Sequence, residues 1–572
     1  MVANMRSLSI LCLLLISASF FPSECAQSPT TSPATNKETA IVGGNVVRLD
    51  TGEALKKAKV ILQSHVGDAF SDFLLTDELG HFVFENIPPG SYDLQISHNG
   101  YVDAEYGQKK LGAPGAVLSL SPGQRMTDLV FKLARAAAIS GHVFDEDGEP
   151  IAKAEVISYL ASKKLGKEHR NNYEPISTND LGEFRIFDLA PGRYYLAVNY
   201  HNQEHVQLRS ELAKQKFNPG YLPSYYPNTT DPAKAQAISV GSGDDIRSVD
   251  FFLRPSHLVT VTGKVISTIP VPTNTSGMVT LYPRGSGLVD AAQDLDDTFQ
   301  LKDGSFVIRN VPPGSYFLAA SWSDHESGGG WHFGRRRLDV ANSDVEVTIT
   351  VSRGSDIAGH VSWEGVAPSD LRTLYVRLQS LDEDPTPIPG ASAKQDGTLQ
   401  FKNVPEGTYR PIASFPGAQE NFYLKAARYG TATVTDAGFT VQPGSDASLD
   451  LIMSTRAAQI DGVVLNADSL PTAGSTVVLI PDPPHRDVKH RYKAATTDQN
   501  GKFTIKGIAP GDYKLFSWDL NEGSEDSGSD WYDPEWLKPY ETKGEAVHLD
   551  ESDRKAVNLT LLETRSDSSA SN

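Results

Sequence analysis

Cysteine is all but missing. The 572-residue chain has two, Cys12 and Cys25, both within its first 26 residues, so the rest can carry no disulfide framework. That excludes the small stapled secreted folds and leaves apolar cores to hold the chain together. Positive charge is also in short supply, with 52 Lys and Arg against 71 Asp and Glu and a net charge of −19. Such an acidic surface repels phosphate backbones and anionic membranes, so nucleic acid is excluded as a partner. The one basic cluster, Arg335-Arg336-Arg337, reads as a solvated loop. Long apolar runs are confined to Leu8–Phe21, which follows Arg6 and precedes a Ser-, Thr- and Pro-rich stretch. This predicts a signal peptide over 1–26 and a flexible linker over 27–40. Pro22-Ser23-Glu24 ahead of Cys25 is a poor lipid-attachment signal. No later stretch nears the roughly 20 apolar residues of a membrane helix. Nucleotide and nucleophile signatures are absent too: the chain has no Gly-x-Ser-x-Gly elbow, no Walker loop and no dinucleotide fingerprint after a strand.

What the chain does have is a repeat. Five times a turn Asp or Asn is followed by Gly, an alternating strand and Pro-Gly-x-Tyr or its near twin. The paired glycines are Gly80/Gly90, Gly182/Gly192, Gly304/Gly314, Gly397/Gly407 and Gly501/Gly511, and a tyrosine follows each pair (Tyr92, Tyr194, Tyr316, Tyr409, Tyr513). Both glycines of a pair are expected to turn the chain, the first after Asp or Asn and the second after Pro. Successive second glycines lie 102, 122, 93 and 104 residues apart. That period exceeds the roughly 20–50 residues of solenoid units and is the size of a domain with its own core. Each copy opens on Gly-x-Val (Gly44, Gly141, Gly263, Gly359 and Gly462) and closes on an alternating strand near Leu133, Leu253, Val351, Met453 or Leu561. Many short strands between regular turns predict an antiparallel β-sandwich. The repeated tyrosine is expected to bury its ring and tie its hydroxyl to a loop.

The order Gly-x-Val, Ala-x-Val, Asp-x-x-Gly-x-Phe-x-Phe, Pro-Gly-x-Tyr resembles the carboxypeptidase regulatory-like domain. The resemblance implies a transthyretin-like (prealbumin-like) sandwich of about seven strands, grouped with carbohydrate-binding-like folds. It extends over nearly all the chain after residue 40. The fourth copy departs most, with Leu399 in place of the first aromatic and Pro405-Glu406-Gly407 in place of Pro-Gly. The last copy looks like the terminal unit of exported bacterial proteins built wholly from such domains. The expected fold is therefore all-β: a tandem array of five antiparallel seven-stranded sandwiches after a signal peptide. Their bounds are set at 41–135, 136–256, 257–354, 355–456 and 457–566, with a disordered tail at 567–572. The short alanine-rich join Leu133–Ile139 predicts semi-rigid units.

Chemistry-bearing groupings are few. His201-Asn-Gln-Glu204-His205 fits the H-x-x-E-H of inverted zinc proteases, but it begins where a sandwich strand ends and reads more simply as a polar loop. His325 and His332, and His485 and His490, read as further polar loops. Asp290, Asp294, Asp296 and Asp297 lack the central Gly and closing Glu of a calcium loop. All six tryptophans lie at or beyond Trp322. Trp322, Trp331, Trp531, Tyr532, Trp536 and Tyr540 are the candidate sugar-stacking residues, although the last four read more simply as a cap folded onto the fifth sandwich. The expected function is a non-enzymatic exported scaffold, stalk or adhesion protein, monomeric and without a cofactor. Alternatives are a carbohydrate-binding protein using those aromatics, or a metallopeptidase using His201, Glu204 and His205. Polysaccharide or envelope proteins are the expected partners, at a periplasmic, surface or extracellular location. Specificity is expected in the unequal loops 199–235, 282–300, 323–338 and 519–545.

Overall fold

The structure is a computed structural model. It describes residues 38–563 except 66–69, 110, 112–114, 161–174, 201–219, 257, 270–275, 285–294, 301–302, 325–329, 383–388, 416–420, 484 and 520–529. The described chain is almost entirely β, and each copy of the repeat contributes two facing sheets. In the first, the opening strand Ala40–Arg48 lies between His81–Ile87 and Arg125–Leu133. The facing sheet runs Ser71–Leu75, Lys59–Ser64, Gly90–Ser97, with Ala104–Glu105 and Leu118–Leu120 both on the far edge of Gly90–Ser97. Alternation places Phe82, Phe84, Tyr92, Leu94 and Ile96 inward, in one apolar core. Four further cores of the same kind lie within 137–253, 259–351, 357–453 and 458–559.

The sandwiches are not wholly antiparallel. In every copy the opening strand pairs antiparallel with the strand after the turn glycine but parallel with the closing strand. The chain reaches its last strand only after building the whole facing sheet, a crossover long enough to return it in the same direction. Strand number also varies among the copies. The fourth adds Tyr423–Tyr429 and Ala432–Thr433 to its opening sheet, and the third has an 11-residue hairpin pair, Gly314–Asp324 with Gly330–Val340. Arg335, Arg336 and Arg337 sit on that hairpin, not in a loop as expected. Two guanidiniums are used locally: Arg336 donates to the Thr348 carbonyl at 3.0 Å, and Arg337 lies over the Phe317 ring. Arg335 instead reaches the fourth sandwich and donates to the Glu406 carbonyl at 3.0 Å and to Asp382 at 3.3 Å.

The opening glycines are required by close approach. A Cβ on Gly44, Gly141, Gly263, Gly359 or Gly462 would stand 1.9–2.4 Å from a carbonyl oxygen of the parallel closing strand. The first glycine of each repeated pair is required by conformation as well. Gly80, Gly182, Gly304, Gly397 and Gly501 all have φ between 69° and 85°, each against a valine carbonyl of its opening strand.

The second glycines behave differently from expectation. They do not turn the chain but begin its next strand: Gly90–Ser97, Gly192–Asn199, Gly314–Asp324, Gly407–Ser414 and Gly511–Trp518. Gly192 and Gly511 are only half-buried, so they are strand ends at the rim of the sandwich and not part of its core. A Cβ on Gly192 would come within 2.7 Å of Leu160 Cδ1, the movable end of a side chain, whereas one on Gly511 would meet the Tyr513 ring at an ordinary 3.5 Å. Gly192 keeps a negative φ, and Gly511, at φ 149°, alone falls clearly short of extended backbone. The sharp change of direction falls on the preceding residues, where the tyrosine ties the corner.

Candidate functional site

The five tyrosines belong to the scaffold. Each is buried and donates its hydroxyl to the carbonyl four residues earlier: Tyr92 to Pro88 (2.5 Å), Tyr194 to Ala190 (2.7 Å), Tyr316 to Pro312 (2.8 Å), Tyr409 to Pro405 (3.0 Å) and Tyr513 to Ala509 (2.8 Å). Burial pushes the Tyr316 hydroxyl up to about 12, which keeps it a neutral donor.

The aromatic candidates separate once placed. Trp322 is 1% exposed in the core of the third sandwich, its ring 4.2 Å from that of buried His332, so it offers no face to a sugar. Trp331 lies on the exposed side of the same hairpin. Trp536 and Tyr540 form a cap over Trp518, with ring centroids 5.1 Å and 5.6 Å away. The cap is built by a short helix, Pro534–Leu537, whose N-cap Asp533 accepts from the Glu535 amide. Trp531 and Tyr532 belong to the same cap, with Tyr532 edge-on to Tyr492 at 4.8 Å, but they also face a cleft. His201, Glu204, His205, Asp290, Asp294 and His325 lie outside the described residues. Asp296 and Asp297 sit on the strand Leu295–Gln300. Among the described residues no three His, Cys, Asp or Glu side chains come together as a metal site.

That cleft, of about 1040 Å³, is lined by the first, fourth and fifth sandwiches. It exists because the two ends of the array meet. The side-chain amide of Gln499 closes a two-bond clasp on Ser119: the Ser119 N–H donates to Oε1 (3.0 Å), and Nε2 donates to the Ser119 carbonyl (2.8 Å). Beside it Val117 bridges Asp498 in parallel fashion, and Lys109 Nζ donates to Ser475 Oγ (3.1 Å) and lies 3.8 Å from Asp519. Gln499 thus serves the outward edge of Leu118–Leu120 as another strand would.

The fourth and fifth sandwiches are joined by charge. Arg410, buried to 4% exposure, donates to the Asp436 carbonyl (2.6 Å) and to Asp487, while Arg491 donates to the Asp436 carboxylate (2.7 Å). His490, partly buried at this junction, is pushed down to about 4 by removal from water. The Arg410, Arg491 and Lys493 charges add to that effect, and Asp436 opposes it. It is therefore neutral at pH 7. A second junction centres on Glu551, which accepts from Tyr423 Oη (2.7 Å), Lys425 (2.7 Å) and Arg456 (3.2 Å).

The cleft inverts the charge of the molecule. Its lining holds five cationic side chains, Arg377, Arg491, Lys493, Lys502 and Lys506, against Asp436 and Asp498, in a chain of net charge −19. Both aspartates are already engaged: Asp436 with Arg491, and Asp498 as acceptor from the Asn500 and Lys502 amides. Loop length pointed to only part of this feature, Trp531 and Tyr532 of the long loop 519–545, and not to its cationic residues. Lys502, Thr504 and Lys506 are the outward positions of a strand whose inward residues are the repeated core. The signal lay in the alternate residues of the repeat itself.

Residues 41–133 match the carboxypeptidase regulatory-like domain family. That match covers one copy of the repeat. The human BOS complex subunit NOMO1 is 22% identical over 245 residues, 42% of this chain and 18% of that protein, so the chain spans under a fifth of that relative's length. Similar solved structures include the Streptococcal ancillary pilin (11% identity, 55% of this chain, 99% of that one, TM-score 0.18) and BcpA, the major pilin subunit of Bacillus cereus (10%, 75%, 99%, TM-score 0.13). The Bacillus anthracis TIE protein is 13% identical (54% of this chain, 50% of that one, TM-score 0.16). At these scores the likenesses carry no argument about function.

Proposed function

We propose that this non-enzymatic all-β protein is an exported binding scaffold of five sandwich units, closed end to end so that three of them present one concave surface. The units take the bounds 41–135, 136–256, 257–354, 355–456 and 457–566, behind a signal peptide at 1–26 and ahead of a tail at 567–572. The observation that carries this reading is the Gln499–Ser119 clasp with its neighbours Val117–Asp498 and Lys109–Ser475. A stalk keeps its ends apart; a chain whose first and last units share hydrogen bonds gathers its surfaces around a cleft. The sequence adds the support of an apolar run after Arg6 for export.

Small-angle scattering of the mature protein tests the closure. A compact particle of this size has a radius of gyration of about 25–30 Å, and five such units in line about 50 Å. A value near the latter rejects the closed scaffold. Turnover of peptide, ester or glycoside substrates that survives purification would overturn the non-enzymatic reading.

A further inference from the structure

We infer that the cleft between the first, fourth and fifth sandwiches binds an acidic polysaccharide, an inference that rests on the closed scaffold proposed above. Three observations carry it. First, among the described residues Arg377, Lys502 and Lys506 face the cleft without an ion-pair or hydrogen-bond partner for their charged groups, although acidic residues outnumber basic ones along the chain. Unpaired like charges gathered in one concavity repel one another, and a bound anion relieves that repulsion. Second, the charges are spread out. Lys502 and Lys506 are four residues apart on one strand, roughly 13 Å at about 3.3 Å per residue, and Arg377 comes from another sandwich. A single small anion cannot meet both ends of that row, whereas a polymer with recurring carboxylates can. Third, Trp531 and Tyr532 are held at the cleft by the cap, where ring faces can stack on the flat C–H faces of sugars. This third feature favours a glycan over an acidic peptide.

The three cationic side chains are exposed and serve no fold contact, so they can be changed without disturbing the core. The experiment uses the full mature chain with polygalacturonate, neutral dextran and poly-glutamate as probes, by titration calorimetry in low and high salt, with scattering on the same samples. The expected result is polygalacturonate binding at low salt that falls at least tenfold for K502E/K506E and several-fold for Trp531→Ala. Binding should weaken with salt, dextran should not bind, and the thermal midpoint of K502E/K506E should stay unchanged. Absence of polygalacturonate binding overturns the inference, as does binding indifferent to the double charge reversal. Poly-glutamate bound as tightly, with Trp531→Ala silent, overturns it in favour of an acidic peptide. A compact particle that binds nothing rejects this inference alone, while an extended particle rejects the closed scaffold and the cleft with it.

Discussion

At the scale of single residues, the five copies repeat a steric constraint as much as a sequence. Gly263 is its sharpest case, since a Cβ there would stand 1.9 Å from the Val347 carbonyl on a backbone the parallel pairing holds in place. Gly263→Ala should destabilise the third sandwich by about 3 kcal/mol, whereas Tyr316→Phe, which loses only the bond to Pro312, should cost about 1 kcal/mol. Limited proteolysis with mass readout assigns each loss to the third unit. A second device sits six residues after each turn glycine. Asn86, Asp188, Asn310, Asn403 and Gly507 all have φ between 51° and 67°, and opposite each the opening strand shifts register. These are β-bulges, filled by the residue types that tolerate left-handed backbone. Asn310→Gly is expected to leave the thermal midpoint nearly unchanged, and Asn310→Val to lower it.

Among elements, the cap and the fourth–fifth junction do what the strands cannot. Trp518 is fully buried, stacked on Phe516 at 5.1 Å and covered by Trp536 and Tyr540. Trp518→Ala should cost about 4 kcal/mol, read as a lowered unfolding midpoint of the fifth sandwich. At the junction His490 gives a pH dependence of definite sign. Unfolded, it takes a proton near 6.5; in place, only near 4. Between those values the unfolded chain binds the extra proton, so the stabilisation present above about pH 6.5 is lost as pH falls toward 4. The limit for a shift of this size is about 3 kcal/mol. His490→Gln should flatten that part of the thermal-midpoint profile between pH 4 and 6.5, and a profile as steep as wild type would assign the loss to other groups.

For the whole molecule, the decisive contact uses a side chain on one unit and only backbone on the other. Gln499→Ala removes both bonds of the clasp, while Ser119→Ala removes neither, because Ser119 contributes its N–H and carbonyl. Scattering should therefore show a larger radius of gyration for Gln499→Ala and an unchanged one for Ser119→Ala. Equal behaviour of the two variants would mean the clasp does not hold the ring shut. The contact joins residues 380 apart in sequence, and no periodicity within a unit encodes it.

The sequence by itself determined the sandwich. First glycines, alternating aromatics and the corner tyrosine are local requirements of φ, pleat and hydrogen bonding, so they are written where they act and return in every copy. The bulge residues Asn, Asp, Asn, Asn and Gly also recur at a fixed offset in the sequence, but it is the register shift and the left-handed backbone of the structure that give them their role. Only the tertiary structure decided the parallel closing strand, because strand direction depends on how many times the chain has crossed the sandwich. It also parted the paired glycines, since Gly182 and Gly501 sit in turns while Gly192 and Gly511 begin strands, a difference their identity as glycine does not carry. The same holds for Trp322, a core residue, and Trp531, at a cleft, since composition says nothing of which face a ring presents. The cleft was the least legible feature of all. Lys502 and Lys506 are ordinary outward strand residues until the first and fifth sandwiches meet, and that meeting depends on surfaces whose complementarity exists only in three dimensions.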